Sequence, residues 1–159
     1  MDTATKKTVL RMFTYGLYAI TAKHGDEVSM MTANWIVQSS FDPPMLTLAA
    51  EADSHTRRLI EASRAFAVNI YETGQRELAG RLGKTFAKHP DKIGELMWQP
   101  GPVTGSPILE AALGWVECRV KGSLPSGDHI LFVAEVVEAG GQREGQSLTL
   151  KEAGFNYSG

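Results

Sequence analysis

"LGWVECRVKGSLPSGDHILFVAEVVEA", residues 113–139, decides the fold. Its first half alternates. Val116, Cys118 and Val120 share one face, and Trp115, Glu117, Arg119 and Lys121 share the other. A period of two marks a strand half-buried against a core. Pro125 to Asp128 supplies turn residues, and the chain then returns with Ile130, Phe132, Ala134 and Val136 on one face. Leu131, Val133 and Val137 make the opposite face of that return strand apolar as well. In a small antiparallel barrel one side faces the interior. The other side then needs a helix or a second subunit to cover it.

Upstream the pattern is again mostly strand. Residues 9–21, "VLRMFTYGLYAIT", carry Val, Leu, Phe, Tyr and Ile, with Gly16 a candidate bulge. "KHGDE" is a turn that makes a hairpin of 9–21 and 28–34. Asp42-Pro43-Pro44 stops one element, and Met45 to Ala50 begins a buried strand. Asp53 or Ser54 caps a helix whose apolar face is Leu59, Ile60 and Ala62. Residues 65–71 return as strand, and Thr73 is a candidate cap for a second helix through Leu78 and Leu82. Residues 83–107 are irregular and contain four prolines; such a stretch is either functional or a solvated connection. Residues 147–150 are expected to close the sheet. Six or seven strands, two short helices and no βαβ rhythm predict a mainly β chain, a β-barrel with short helices.

The 159 residues are one domain's worth, 1–159, enough for a core without staples. Hydrophobic residues are 43% and charged residues 21%, the mix of a globular protein. With a formal net charge of −2 and no basic cluster beyond Arg57-Arg58, neither nucleic acid nor a membrane surface is an expected partner. A single cysteine, Cys118, excludes an internal disulfide and fits a reducing compartment. The N-terminus has no continuous apolar run of the signal-peptide kind, so the expected location is the cytoplasm. His24, His55, His89 and His129 have no metal-ligand spacing, so no metal site is expected. Cys118 reads as a core thiol.

Two stretches invite a ligand. Thr32, Asn34, Gln38, Ser39 and Ser40 sit among Met31, Trp35, Ile36, Val37 and Phe41, with hardly a charge nearby. If buried, such groups are satisfied by backbone, water or a ligand ring with amide-like edges; the alternative is a solvated loop. The second is Asp53-Ser54-His55-Thr56-Arg57 at a strand-to-helix junction. It is either a plain helix cap or an anion site made by the helix N-terminus, two hydroxyls and a guanidinium.

Together these segments resemble the flavin reductase-like family, the FMN-binding split barrels. The resemblance is carried by Thr32-Ala33-Asn34, Ser40-Phe41-Asp42-Pro43-Pro44, Ser54-His55-Thr56, Phe66-Ala67-Val68-Asn69 and Gly127-Asp128-His129, in order, and the tail "GFNYSG" is similar to flavoredoxin-like endings. It implies a Greek-key antiparallel split barrel that acts as a homodimer. It implies FMN as cofactor and NADH or NADPH as electron donor. Thr32, Ala33, Asn34, Trp35, Gln38, Ser39 and Ser40 would line the isoalloxazine and ribityl chain, with Ala49 and Ala50 against them. Ser54, His55, Thr56 and Arg57 would hold the phosphate. Gly83, Lys84 and Phe86 lie where the family places a further phosphate or ring contact, although its usual Asp-Lys-Phe stands here as Asp91-Lys92-Ile93. His129 is a turn histidine by position and a nicotinamide-binding or catalytic residue by resemblance. Tyr157 packs near the flavin or on the partner subunit. The implied activity is a flavin reductase that passes electrons to free flavin, a monooxygenase or another redox protein. Two alternatives are an FMN electron carrier without NAD(P)H activity and a split barrel for a non-flavin ligand.

Overall fold

The computed structural model describes residues 1–157; Ser158 and Gly159, the end of the tail motif, lie outside the described residues. The chain opens with helix α1 (Thr3–Leu10), where the Asp2 carboxylate accepts from the Thr5 N–H at 2.7 Å. This corrects the strand expected from residue 9. A capped N-terminus followed by Ala4, Lys6 and Lys7 outweighs the strand-like composition of residues 9–13. Val9, Met12 and Phe13 are exposed rather than paired. The first strand, β1 (Tyr18–His24), forms a hairpin with β2 (Glu27–Ala33) across Gly25, whose φ of 58° lies in the left-handed region. Gly16 is no bulge; it precedes β1 and bridges to Thr149.

Strand β3 (Ile36–Phe41) turns at Asp42-Pro43 into β4 (Pro44–Glu51). Helix α2 (His55–Ser63) follows, capped by Ser54, whose Oγ accepts from the Arg57 N–H at 3.2 Å. Then come β5 (Ala65–Ile70) and helix α3 (Arg76–Leu82). Gln75, not Thr73, precedes α3 as its cap; the Thr73 hydroxyl instead donates to Glu152. Short strands β6 (Trp98–Pro100) and β7 (Pro107–Leu109) form a separate pair. Strands β8 (Gly114–Ser126) and β9 (His129–Gly141) make the long hairpin read from the sequence, and α4 (Leu150–Ala153) ends the fold. Residues 147–149 make isolated bridges only, so the expected closing strand is absent from the described residues.

Seven strands form one antiparallel sheet in the order β2-β1-β5-β8-β9-β4-β3. Its two edge strands, β2 and β3, are consecutive in sequence, separated by Asn34 and Trp35. A connection that short brings both edges to one corner, which curls the sheet into a barrel split at that point. The interior is filled by Ile20, Leu48, Phe66, Val68, Cys118, Phe132 and Ala134, with Leu59 and Ile60 of α2 closing it. Burying such side chains contributes about 1.5–3 kcal/mol each. A second cluster, with Leu17, Met30, Tyr71, Leu82 and Leu148, packs α3 and the C-terminal segment outside β1 and β2.

One face departs from the alternation. Glu117, on the face opposite Cys118 and Val120, is fully buried. Its carboxylate accepts from the N–H groups of Val103 at 3.0 Å and Thr104 at 2.7 Å, and from the Thr104 hydroxyl at 2.6 Å. Beside it, Thr21 Oγ1 donates to the Pro107 carbonyl at 2.6 Å, and Asn69 Oδ1 accepts from the Leu109 N–H at 2.8 Å. These buried polar side chains fasten the far end of the 83–107 segment to the barrel. The outer face of β9 is less covered than expected: within this chain Val133 is 38% exposed, and Leu124 across the hairpin is 63% exposed.

Candidate functional site

A cavity of about 780 Å³ lies where the split opens. Its middle is small and uncharged: Thr32, Ala33 and Asn34 at the end of β2, and Ala49 and Ala50 on β4. One end is the N-terminus of α2, with Ser54, His55 and Thr56, joined by Gly83, Lys84 and Phe86 after α3. At the other end stand His129, at the start of β9, and Tyr157, from the tail that crosses the cavity after α4. Segments distant in sequence thus converge because β2 and β4 end and β9 begins at this corner, and α2 begins and α3 finishes beside it.

The hydroxyls at the helix end serve the framework. Thr56 Oγ1 and Ser29 Oγ are 2.7 Å apart, and His55 Nδ1 lies 3.0 Å from the same Ser29 oxygen. The His55 ring stacks on Phe86 with centroids 4.1 Å apart and planes 11° from parallel. Burial, and then the charge of Arg58, hold the His55 pKa below its usual value, so a neutral ring faces Phe86 at pH 7. Lys92 also lines the cavity and is 6% exposed. Its Nζ donates to the carbonyls of Leu82 at 2.8 Å and Lys84 at 2.7 Å, and desolvation pulls its pKa down to about 8. An ammonium has three donors, so one more remains for an anion in the cavity.

The polar run of 32–40 is divided. Thr32 Oγ1 donates to the Ala79 carbonyl at 2.6 Å and lies 2.8 Å from the Tyr71 hydroxyl, tying β2 to α3. Asn34 Nδ2 donates to the Tyr157 carbonyl at 3.0 Å, tying β2 to the tail. Trp35 stands behind the cavity wall, its ring 4.7 Å from His129 and 5.4 Å from Tyr157. Gln38, Ser39 and Ser40 do not reach the cavity of their own chain. They lie on edge strand β3, around a bulge, and with Phe41 line a separate shallow depression. There Gln38 Nε2 donates to the Ser40 carbonyl at 3.2 Å and Thr47 donates to Ser39 at 3.1 Å.

The family profile described as "Flavin reductase like domain" matches residues 10–157. The chain belongs to the flavin reductase-like family.

This flavin reductase-like chain is 31% identical over 136 residues to the flavin-dependent monooxygenase reductase subunit HsaB of Mycobacterium tuberculosis, covering 86% of this chain and 71% of that one. It is 35% identical over 121 residues to the putative diflavin flavoprotein A 6 of a Nostoc species, covering 76% of this chain but 21% of that much longer protein. Among solved structures, the Streptomyces globisporus NADH:FAD oxidoreductase SgcE6 superposes with a TM-score of 0.75 at 28% identity, over 86% of this chain and 77% of that one. The split-barrel expectation is borne out.

Within the family frame, the structure replaces one expected residue and adds others. Arg57 points away from the cavity: its guanidinium pairs with Glu61 one turn on, while Arg58 lines the cavity wall. Position 58 is three residues after His55, hence on its helix face, whereas 57 is two residues after it, a signal present in the sequence. Lys92, Glu51 and Asp53 also line the cavity. Nothing in the local pattern marks Lys92 as buried; only the tertiary path of the 83–107 segment brings it there. Among the described residues no group of His, Cys, Asp and Glu could hold a metal ion, and no helix is long and apolar enough to cross a membrane.

Proposed function

We propose that this chain is an NAD(P)H:flavin oxidoreductase that holds FMN in the 780 Å³ cavity and delivers electrons to a flavin or protein acceptor. The observation that carries the reading is the cavity's gradient. A cationic end with Arg58, Lys84 and Lys92 suits a phosphate; a small, neutral middle suits a flat ring system and polyol; an aromatic end with His129 suits a second ring. FMN supplies the hydride-accepting ring. The chain's residues supply position: the N-terminus of α2, Arg58 and Lys92 fix the anionic end, while Ala33, Ala49 and Ala50 leave room along the ring. His129 with Trp35 behind it shapes the face on which a nicotinamide stacks, and holding two rings in register is the source of rate. HsaB and SgcE6, a monooxygenase reductase subunit and an NADH:FAD oxidoreductase by name, support this class of reaction.

The reading includes a homodimer. The exposed apolar side chains Val37, Phe41, Leu124 and Val133 lie on β3, β8 and β9, whereas among the described residues the helices pack chiefly on β1, β2 and β5. A second copy placed there would also give Gln38, Ser39 and Ser40 a role at a partner's flavin. Sedimentation equilibrium tests the dimer; a monomer at micromolar concentration would end it.

One observation favours a second reading, an FMN electron carrier. Tyr157 packs on Trp35 and beside His129, on the surface where a nicotinamide would stack. The visible spectrum with added FMN, then anaerobic NADH and NADPH, separates the readings. A perturbed spectrum that bleaches with either nucleotide supports the reductase and names its donor. A perturbed spectrum that persists supports the carrier, and an unperturbed one refutes both.

A further inference from the structure

Helix α1 is folded but buries no side chain. Val9 and Leu10 are exposed on it, and just beyond it Met12 is 71% and Phe13 61% exposed. Two contacts hold its root. The Tyr15 hydroxyl donates to the Leu10 carbonyl at 3.5 Å, and the Phe13 and Tyr15 rings stand 6.4 Å apart. Tyr15 packs on the second core cluster, so residues 1–14 form an arm that leaves the barrel there.

Its own sequence does not sustain such a helix. An isolated helix shorter than about 12–15 residues is marginal in water, because nucleation is costly and few bonds repay it. Short helices persist by packing an apolar face. Lys6, Val9, Leu10 and Phe13 are spaced i, i+3, i+4 and i+7, which puts three apolar groups and one cation on one face.

A matching surface exists on the barrel. Val37, Phe41, Leu124 and Val133 are exposed on β3, β8 and β9. Four side chains are far fewer than the roughly 20–30 residues a side of a stable interface. A dimer built on that face therefore needs further apolar surface, and the arm holds it. Charge agrees. The arm has Lys6, Lys7 and Arg11 against Asp2 alone, a formal +2, so the rest of the chain carries −4 of the total of −2. Among the acids, Asp42 follows Phe41 and Glu138 lies on β9, both exposed.

We propose that residues 1–14 are a docking arm for a second copy of this chain: Val9, Leu10, Met12 and Phe13 lie on the exposed β3 edge of that copy, where it presents its own Val37 and Phe41, with Lys6 and Lys7 toward its Asp42. A two-fold dimer makes the contact twice, once with each arm. This rests on the homodimer of the reading above and not on its redox chemistry. The helix of the arm is then a product of assembly.

The full-length protein tests this in three ways. Hydrogen exchange at the amides of Lys7 to Leu10 should be slow where sedimentation shows dimer and fast after dilution to monomer. Protection that ignores dilution, or no protection in the dimer, overturns the proposal. A photoreactive residue in place of Met12, in ¹⁴N- and ¹⁵N-labelled protein mixed until subunits have exchanged, should give mixed-isotope links to the peptide holding residues 36–44. Links within one isotope only would place the arm on its own barrel, and links elsewhere would place it on another face; either result overturns the proposal. Val9→Asp and Phe13→Asp should each raise the dimer dissociation constant by about tenfold or more, because each puts an unpaired carboxylate into an apolar contact. Added salt should raise the wild-type constant as well. Since α1 buries nothing, both variants should keep the melting temperature of the dilute wild-type monomer. An unchanged dissociation constant overturns the proposal. A wild type that stays monomeric ends the homodimer and the arm together, whereas a dimer with an unprotected arm ends the arm alone.

Discussion

Lys92 Nζ donates to the Leu82 carbonyl at 2.8 Å, capping the end of α3 with a buried ammonium. Burial lowers its pKa from 10.5 to about 8. The unfolded chain then binds more protons than the folded one between about 8 and 10.5, so this group's penalty is present below 8 and relieved as pH rises through that window. Binding runs the other way, because the charged form is the one that attracts a phosphate. FMN affinity, followed by flavin fluorescence, should fall as pH rises from 7 to 9.5, and riboflavin, which lacks the phosphate, should show no such trend. Lys92→Met should flatten the FMN curve. Parallel behaviour of FMN and riboflavin would remove Lys92 from the phosphate end.

His55 makes a prediction on the acid side. Its pKa is held below 6.5, first by burial and then by Arg58. A depressed value means that the stability it confers is present above 6.5 and lost as pH falls through the lowered folded value. Between pH 7.5 and 5 the wild-type melting temperature should therefore drop more than that of His55→Phe, which keeps a ring against Phe86 and cannot take up a proton. Equal slopes would mean that the stack is indifferent to charge.

The two neighbouring arginines should separate cleanly. Arg58→Ala should weaken FMN by about three- to tenfold, the worth of a partly exposed charged contact, and leave riboflavin nearly unchanged. Arg57→Ala removes an i,i+4 pair with Glu61 on the helix surface, worth about 0.3–0.5 kcal/mol, and should leave FMN affinity within about twofold. Isothermal titration of both variants with both ligands decides; the reverse ranking would place Arg57 in the site.

Glu117→Ala is expected to be among the most costly single changes in the chain. It strips two part-buried N–H groups and the Thr104 hydroxyl of their acceptor and leaves a void where the fully buried carboxylate stood. A loss of about 2–4 kcal/mol follows from the unsatisfied donors and the void. Calorimetry should show it as a lower melting temperature, and hydrogen exchange should show faster exchange at Val103 and Thr104. A variant as stable as wild type with those amides still protected would mean that water replaces the carboxylate.

The barrel was largely legible in the sequence because its strands obey period two. Alternation puts Cys118, Val120, Phe132 and Ala134 on the inner face, as the structure has them, and of the two cap candidates Asp53 and Ser54 the structure selects Ser54. Residues 9–17 have strand-like composition, but the Asp2 cap sets a helix that runs through Leu10, and the first strand begins only at Tyr18. The burial of Glu117 was not legible, because alternation reports which side of a strand a residue is on, not what folds over that side. The polar run 32–40 stands out in the sequence, but Thr32 and Asn34 spend their side chains on α3 and the tail, and Gln38 to Ser40 face another surface. Lys92 carried no local signal, since its burial depends on contacts with α3 and the residues after it.

The ties that hold residues 83–107 have a further property. Lys92 grips the carbonyls of Leu82 and Lys84, and Arg81 grips that of Lys92. Thr21 takes hold of the Pro107 carbonyl, Asn69 the Leu109 N–H, and Glu117 two more N–H groups. Apart from Lys92, the gripping side chains lie outside the segment, and the groups they take are ones that nearly every amino acid supplies. Side chains between the ties can therefore drift without loosening these bonds, apart from Ile93, Leu96 and Trp98, which pack on the second core cluster, and Phe86, which stacks on His55. That makes the segment a natural cassette, one in which a lineage or a protein engineer can vary what the cavity accepts while the barrel stays as it is.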